Sequence, residues 1–225
     1  MLPNLCFQRF SCPKAFTLVE LLVIMVVVGV LTAIILPSLN KARLKANAVQ
    51  CVDQFRELGA VYTKYTSETD AIIPVIDVKN GKNPTWQRTL QSYSDSEVSW
   101  SCPGCKQGHH GIGYNHFIGE IGSIDNVRKP SATVAFGDAG IIRNPSQVNP
   151  DLWIESKTLK NNGFGSGVFL VPSTKDWEKS SRRMVNRHLG RSSVIFVDGH
   201  ADSIPVSAVG FQYKKGHVRA LWDNQ

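Results

Sequence analysis

The chain has 225 residues, of which 42% are hydrophobic and 19% charged, and its formal charge is +7. This length accommodates one domain of ordinary size plus a further segment, and the composition excludes a disordered, collagen-like or coiled-coil protein. Five cysteines are too few for a disulfide scaffold, and the positive charge is too small to indicate nucleic-acid binding by itself.

The first predicted element is a membrane-spanning helix from Phe16 to Leu36. Its 21 residues read FTLVELLVIMVVVGVLTAIIL and are apolar on every face, apart from Glu20. At about 1.5 Å per residue the run spans about 31 Å, the thickness of one hydrocarbon core. A cleaved secretory signal has a shorter apolar region, and a soluble helix would be polar on one face. We therefore predict a single membrane anchor.

Glu20 is the unusual residue of this span. A carboxylate inside a bilayer costs about 3 kcal/mol on insertion scales, so a cation or a proton is expected to neutralise it. Lys14 is six residues away, which is more than one helical turn. A second chain is therefore the expected source of the cation.

The segment Lys14–Leu22, which reads KAFTLVELL, resembles the N-terminal signal of type IV prepilins and of type II secretion pseudopilins. In that family a prepilin peptidase cuts before the phenylalanine and methylates the new amino terminus. The resemblance implies a leader at residues 1–15 and cleavage between Ala15 and Phe16, although the family usually has glycine before the cut. It also implies that Phe16 and Glu20 act in assembly, where the carboxylate neutralises the amino terminus of a neighbouring subunit.

The same resemblance implies a location and a set of partners. We expect a single-pass inner-membrane protein with its N-terminus in the cytoplasm and its head in the periplasm. Its partners would be the prepilin peptidase, other pilin-like subunits and an inner-membrane assembly platform, with no cofactor and no nucleic acid. Pro37 lies where such pilins carry a helix-kinking proline, and its missing N–H explains the expected kink.

The helical pattern continues past the membrane segment. We predict that residues 16–37 cross the membrane and that residues 38–66 continue the helix as an amphipathic half packed on a globular head. The reason is an apolar stripe at spacings of three and four, with charged residues at other positions. The stripe consists of Leu44, Ala48, Cys51, Val52, Phe55, Leu58, Tyr62 and Tyr65.

Residues 67–225 are predicted to form a β-rich head. Short β-branched runs alternate with turns, and eight of the 18 glycines fall between Gly104 and Gly140. The expected fold class is therefore α+β and pilin-like, with a long N-terminal helix packed on an antiparallel sheet with long loops. The expected strands are Ala71–Val78, Val98–Cys102, Thr133–Phe136, Gly167–Val171, Ser193–Val197, Ile204–Val206 and His217–Leu221.

A second resemblance lies near the C-terminus, at residues 186–200. This stretch is similar to the H-X9-DG element of pilin-like proteins common in Planctomycetes, Verrucomicrobia and Lentisphaerae, and it places that element at residues 188–199. Asp198–Gly199 between two alternating strands predicts a tight turn. We expect the histidine of the element, His188, to hydrogen-bond a loop carbonyl or to pack a corner.

The cysteines leave several alternatives open. Cys6 and Cys12 lie in the leader, so Cys51, Cys102 and Cys105 remain in the processed chain. We expect a structural disulfide among these three, and a link that closes a long loop contributes about 3–4 kcal/mol in the chain-entropy model. The alternatives for the Cys-Pro-Gly-Cys segment are a redox pair, which lacks a surrounding βαβ pattern, and half of a zinc knuckle. The other zinc ligands would come from Cys51, His109, His110 or His116.

The leading functional hypothesis is a structural pilin-like subunit of a secretion or pilus filament. A surface-exposed minor pilin that binds polysaccharide or DNA is one alternative. A membrane-anchored metal-dependent enzyme is another, with Asp198, His200 and Asp202 as weak candidate ligands because alternate strand positions share a face. The sequence contains no phosphate-binding loop, nucleophile elbow or zinc-protease motif, so we predict that the protein is not an enzyme.

Overall fold

A computed structural model describes residues 16–71, 74, 85–96, 98–105, 111–156, 167–175 and 177–223. The chain divides into two units, and the boundary along the chain lies between Ala42 and Arg43. Helix α1, Leu18–Glu68, contributes to both units. The second unit also contains the β-sheet and the short helices.

In the second unit, α1 is amphipathic because its apolar residues fall three and four positions apart. Phe55, Leu58 and Tyr62 are fully buried there, which confirms the predicted stripe over this stretch. The stripe does not extend back to Leu44, whose side chain is exposed. The helix ends at Glu68, two residues beyond the predicted boundary.

The described residues form a six-stranded sheet with the order β3-β1-β2-β5-β6, and β4 pairs with the far end of β2. The strand pairs are antiparallel except for β1 and β3, which run parallel. The predicted α+β class, a long helix followed by a mainly antiparallel head, is thereby confirmed. The strands are β1 (Ile112–Asn115), β2 (Val134–Ile141), β3 (Val168–Phe169), β4 (Arg182–Met184), β5 (Ser192–Phe196) and β6 (Ala201–Ile204), and the short helices are α2 (Thr85–Gln91), α3 (His116–Ile121) and α4 (Val206–Val209).

Several predicted strands are confirmed and others are wrong. Strands β2, β3 and β5 overlap the runs that begin at Thr133, Gly167 and Ser193. The runs Val98–Cys102 and His217–Leu221 contain no strand: the first is irregular apart from a bend at Ser101, and the second forms turns. The run from Ile204 to Val206 holds only the last residue of β6 and the first of α4. Most of the run from 71 to 78 lies outside the described residues.

Strand β2 is longer than its sequence suggested. The segment Gly137–Gly140 reads GDAG and is typical of a turn, yet it continues the strand to Ile141. All eight residues of β2 are buried, because β1, β5 and β4 pair along its length. Pairing on both edges overrides the local turn preference.

An aromatic cluster joins α1 to the sheet in the second unit. Phe136 of β2 lies at its centre, with ring centroids 4.6 Å from Tyr114, 5.2 Å from Trp86 and 5.3 Å from Tyr62. All four side chains are fully buried. Such ring pairs stabilise a core by about 0.5–1.5 kcal/mol beyond the apolar area that they bury.

The β5–β6 turn contacts α1 through two glycines. Gly199 has a φ of +90°, and the backbone N–H of His200 donates to Asp198 Oδ1 at 3.2 Å, so the predicted Asp-Gly turn is confirmed. A Cβ atom at Gly59 of α1 would overlap the Gly199 carbonyl oxygen, and one at Gly199 would overlap Thr63 Oγ1. Glycine on both sides therefore allows the helix and the turn to approach this closely.

We expect Gly59→Ala to lower the free energy of unfolding of the full-length protein by about 1–3 kcal/mol, because the backbone must shift to admit the methyl group. Without the close contact, the same change would stabilise a helix by about 1 kcal/mol. Thermal unfolding in detergent, followed by tryptophan fluorescence, shows whether the variant is less or more stable than the unchanged protein. The control is Ala60→Gly at the exposed neighbouring position, which should cost about 1 kcal/mol through helix propensity alone. A more stable Gly59→Ala variant would contradict the contact.

Candidate functional site

Helix α1 begins with a capping box formed by Thr17 and Glu20. The backbone N–H of Glu20 donates to Thr17 Oγ1 at 3.2 Å. In return, Glu20 Oε2 accepts hydrogen bonds from the Thr17 backbone N–H at 2.9 Å and from its hydroxyl at 2.7 Å. These bonds satisfy donors that a helix start otherwise leaves unpaired. The cap was not among the predictions for Glu20, which concerned a cation or a proton, although the Thr-x-x-Glu spacing signals it.

The predicted cleavage position lies at the edge of the described residues. Phe16 is 68% exposed, and Phe16 and Thr17 precede the first helical residue. Ala15 lies outside the described residues. Phe16, which follows the predicted scissile bond, is therefore exposed and non-helical.

The first part of α1 presents a continuous apolar surface. Every large apolar side chain between Leu18 and Leu36 is at least 49% exposed. By length and composition, α1 can cross a membrane. Proteins in water seldom expose so large an apolar patch, so the surface indicates a lipid or protein environment.

Pro37 lies inside α1, which continues through it to Glu68. Because proline has no N–H, the Ala33 carbonyl has no helical donor at that position. One residue further on, the Ser38 hydroxyl donates to the Ile35 carbonyl at 2.7 Å. The bend expected at Pro37 stays a prediction.

The residues of the predicted H-X9-DG element lie in two places in the fold. Asp198–Gly199 forms the turn that contacts α1, whereas His188 is buried in the loop between β4 and β5. We expected His188 to hydrogen-bond a loop carbonyl or to pack a corner; in the structure its Nε2 lies 2.9 Å from Cys102 Sγ, a contact that was not predicted.

The weak metal candidates of the sequence analysis lie near the same turn. His200 Nδ1 is 2.5 Å from Asp198 Oδ1, and Asp202 Oδ1 accepts a hydrogen bond from the Ser203 backbone N–H at 2.6 Å. Within the part of the chain that the structure describes, the histidine, cysteine and carboxylate side chains with metal-ligand spacing form a different group.

Four buried side chains converge in the second unit, and we call them the buried quartet. Cys102 Sγ lies 2.9 Å from His188 Nε2 and 3.4 Å from Cys51 Sγ. Asp138 completes the group, with Oδ1 3.5 Å from Cys51 Sγ and Oδ2 3.7 Å from His188 Nε2. The four ligand atoms all lie within 4.8 Å of one another. The quartet therefore consists of Cys51 from α1, Cys102 from the loop before β1, Asp138 from β2 and His188 from the β4–β5 loop.

Two tight turns position the loop members of the quartet. In the first, the Cys105 backbone N–H donates to the Cys102 carbonyl at 2.8 Å, and the Gly104 N–H donates to Cys102 Sγ at 3.3 Å. In the second, His188 and Arg191 exchange backbone hydrogen bonds across a two-residue turn. Leu189 occupies that turn with a φ of +53°, which is uncommon for a residue other than glycine. The backbone thus adopts a costly conformation beside His188.

Asp138 is completely buried on a central strand, and its charge is matched by Arg187. Arg187 Nη1 lies 3.1 Å from Asp138 Oδ1, and its Nη2 lies 2.5 Å from Glu155 Oε1. The Ser193 backbone N–H donates to Asp138 Oδ2 at 2.7 Å. The guanidinium also donates to the carbonyls of Gly111 and Ala139, at 2.9 and 2.8 Å. A buried ion pair needs such additional hydrogen bonds to offset its desolvation.

The pKa values within the quartet favour a Cys102 thiolate. The pKa of Cys102 is lowered, because Cys51 donates a hydrogen bond to its sulfur and because His188 and Arg187 lie beside it. The pKa of Cys51 is raised, because its proton is held in that hydrogen bond and because the thiol is buried. Burial raises the pKa of Asp138 to about 6, against the opposing effect of Arg187. Burial alone would lower the pKa of His188, but its contacts with Cys102 and Asp138 raise it.

The structure brings together two of the three cysteines predicted to form a disulfide. The sulfurs of Cys51 and Cys102 are 3.4 Å apart and are not bonded to each other, since a disulfide is about 2.05 Å long. Cys105 is half-buried and follows the same turn as Cys102. The disulfide among these residues stays a prediction.

The zinc ligands predicted near the Cys-Pro-Gly-Cys segment did not include two members of the quartet, Asp138 and His188. His116 lies on α3, where its Nδ1 is 3.5 Å from Glu120 rather than within the quartet. The other two histidines considered, at 109 and 110, lie outside the described residues. The members missed were Asp138 and His188, which only the pairing of distant strands brings to the cysteines.

Comparison with known proteins identifies the N-terminal segment. Residues 11–36 match the prokaryotic N-terminal methylation motif. The match includes the predicted cleavage position, Glu20 and the apolar run, and it supports a type IV pilin-like signal that prepilin peptidase recognises. No curated protein and no solved structure matches the chain.

We expect Arg187→Met to lower the free energy of unfolding by about 3–5 kcal/mol, because it leaves the buried Asp138 carboxylate without its cation. Chemical denaturation of the full-length protein in detergent measures this loss. Arg191→Met is the matched control, since that guanidinium is exposed and bonds the Ser203 carbonyl. The control should change stability by less than about 1 kcal/mol. Equal effects of the two substitutions would contradict the assigned ion pair.

Proposed function

We propose that the protein is a pilin-like or pseudopilin-like subunit of a filament of the type II secretion or type IV pilus kind. The match of residues 11–36 to the N-terminal methylation motif carries this proposal. The exposed apolar surface of α1 supports it, because such a surface suits both storage in a membrane and packing against other subunits. The proposed role is structural and not catalytic.

In this proposal, prepilin peptidase removes residues 1–15 and methylates the amino group of Phe16. A peptidase needs an extended, accessible peptide bond, and a bond inside a helix would first have to unwind. Phe16 and Thr17 meet this requirement, since both are exposed and precede the helix. The capping box then defines the start of α1 just inside the new amino terminus.

Glu20 links processing to assembly. Its carboxylate lies in an apolar run that would bury it in lipid or among other helices, where an unneutralised charge costs about 3 kcal/mol. The amino terminus of a neighbouring processed subunit supplies the opposite charge. In this arrangement the unprocessed chain lacks the amine at the required position, so assembly follows cleavage.

The second unit forms the head of the proposed subunit, on the periplasmic side of an inner membrane. There, the buried stripe of α1 packs with the sheet through the aromatic cluster of Tyr62, Trp86, Tyr114 and Phe136. Its surface would face the periplasm or the outside of the filament.

We expect the mature chain, isolated from cells with an active prepilin peptidase, to begin with N-methylated Phe16. Mass spectrometry of the N-terminal peptide tests this directly. Ala15→Gly, which restores the residue usual at this position, should yield the same product at least as fast. Recovery of the chain with Met1 still attached, in cells that process other prepilins, would contradict the proposal.

We expect Glu20→Gln to insert into the membrane and to be processed, but to be lost from filaments by at least about tenfold, because it removes the charge that pairs with an amine. Glutamine at this position can still accept the capping bonds from Thr17, so helix initiation is preserved. Quantitative blotting of the membrane and filament fractions measures how much of the variant reaches each of them. Asp53→Asn, an exposed acid further along α1, is the control and should be incorporated normally. Normal incorporation of Glu20→Gln would overturn the charge-pairing role.

A further inference from the structure

We propose that the buried quartet of Cys51, Cys102, Asp138 and His188 binds one zinc ion that links α1 to the sheet of the second unit. The proposal is independent of the function proposed above. It accounts for a cluster that neither the N-terminal methylation motif nor a filament role explains.

The separations within the quartet fit tetrahedral zinc. With zinc–sulfur bonds of about 2.3 Å and zinc–nitrogen or zinc–oxygen bonds of about 2.0 Å, neighbouring ligand atoms lie about 3.3–3.8 Å apart. The observed separations are 3.4 Å between the two sulfurs, 3.5 Å from Cys51 Sγ to Asp138 Oδ1 and 3.7 Å from Asp138 Oδ2 to His188 Nε2. The two Asp138 distances belong to different oxygens, of which a tetrahedral ion would take one, and one ligand atom from each of the four residues lies within 4.8 Å of the others. The sulfur–nitrogen separation of Cys102 and His188 is 2.9 Å and would have to lengthen by a few tenths of an ångström. The remaining adjustment is small for side chains that already face one another.

The ligand types also select zinc. Two thiolates and an imidazole suit Zn²⁺ and do not suit Mg²⁺ or Ca²⁺, and zinc also accepts a carboxylate oxygen as a fourth ligand. Four protein ligands in a fully buried setting form a closed site, which is typical of structural rather than catalytic zinc. On binding, the ion takes the place of any proton held on the two sulfurs or on His188 Nε2, and no oxidation or reduction takes place.

A cation lies beside the proposed complex. Two thiolates and one carboxylate around Zn²⁺ leave one negative charge, and the Arg187 guanidinium, 3.1 Å from Asp138, offsets it in part because it also pairs with Glu155. The Ser193 N–H orients the same carboxylate, and the Gly104 N–H donates to Cys102 Sγ. Such outer bonds hold metal ligands in position. The left-handed turn at Leu189, beside His188, is a further sign of a constrained site.

A Cys51–Cys102 disulfide is the rival use of the same residues. It would require the sulfurs to move from 3.4 Å to about 2.05 Å, and it would use only two of the four side chains. It would leave His188 Nε2 and Asp138 Oδ2, which lie 3.7 Å apart, without a role in the link. A metal uses all four groups near their present separations, so the structure favours the ion.

The first test measures metal in the full-length protein, purified from membranes in detergent with its thiols kept reduced. We expect about one zinc per chain by mass spectrometry of the elements, retained through dialysis. Replacement of zinc by Co²⁺ should produce the visible absorption of tetrahedral cobalt together with thiolate-to-metal charge-transfer bands. A protein that holds no zinc and takes up none would overturn the proposal, as would a cobalt complex without thiolate bands.

A variant series tests the ligand set. Cys102→Ser and His188→Ala should each lower the affinity for added zinc at least about tenfold. His188→Cys should retain the ion, because a thiolate replaces the imidazole as a ligand. The matched controls are Cys105→Ser, in the same turn as Cys102, and His200→Ala, an exposed histidine of the β5–β6 turn; both should bind zinc like the unchanged protein. Zinc loss in either control, or full affinity in Cys102→Ser, would overturn the assignment. His188→Cys guards against misfolding, since it alters the site and keeps the predicted coordination.

Discussion

A carboxylate buried on a central strand constrains the second unit more than any other group. Asp138 is completely inaccessible, and an unpaired charge in such a place would cost several kcal/mol. Its partners come from three directions: Arg187 from the β4–β5 loop, the Ser193 backbone from β5, and Cys51 from α1. The register of β2 and β5, the path of the loop and the position of the helix must all agree for these bonds to form together.

Different chemistry holds different stretches of α1 to the head. Near Cys51 the contacts are polar, through the buried quartet. At Gly59 the contact is a backbone approach to the β5–β6 turn, and at Tyr62 it is aromatic packing around Phe136. Two of these three contacts involve residues of the predicted H-X9-DG element, because His188 belongs to the quartet and Gly199 belongs to the turn.

The features that the sequence predicted are those set by local rules. The length of α1 follows from unbroken helical periodicity, and the turn at Asp198–Gly199 follows from the backbone freedom of glycine. The quartet could not be predicted in the same way, because Cys102 and His188 meet only after distant strands pair. The predicted strand Thr133–Phe136 stops before the Gly-Asp-Ala-Gly segment, which resembles a turn. Pairing on both edges makes that segment part of β2. The cap at Thr17 was readable from spacing alone and was missed.

The capping box at the start of α1 has a consequence for how two subunits could recognise each other. Both hydrogen bonds from Thr17 reach the same oxygen of Glu20, Oε2, and a carboxylate has further lone pairs on its second oxygen. In the proposed filament, these bonds would hold the side chain in position before an amine arrives. Preorganisation of this kind reduces the conformational entropy that is lost on docking.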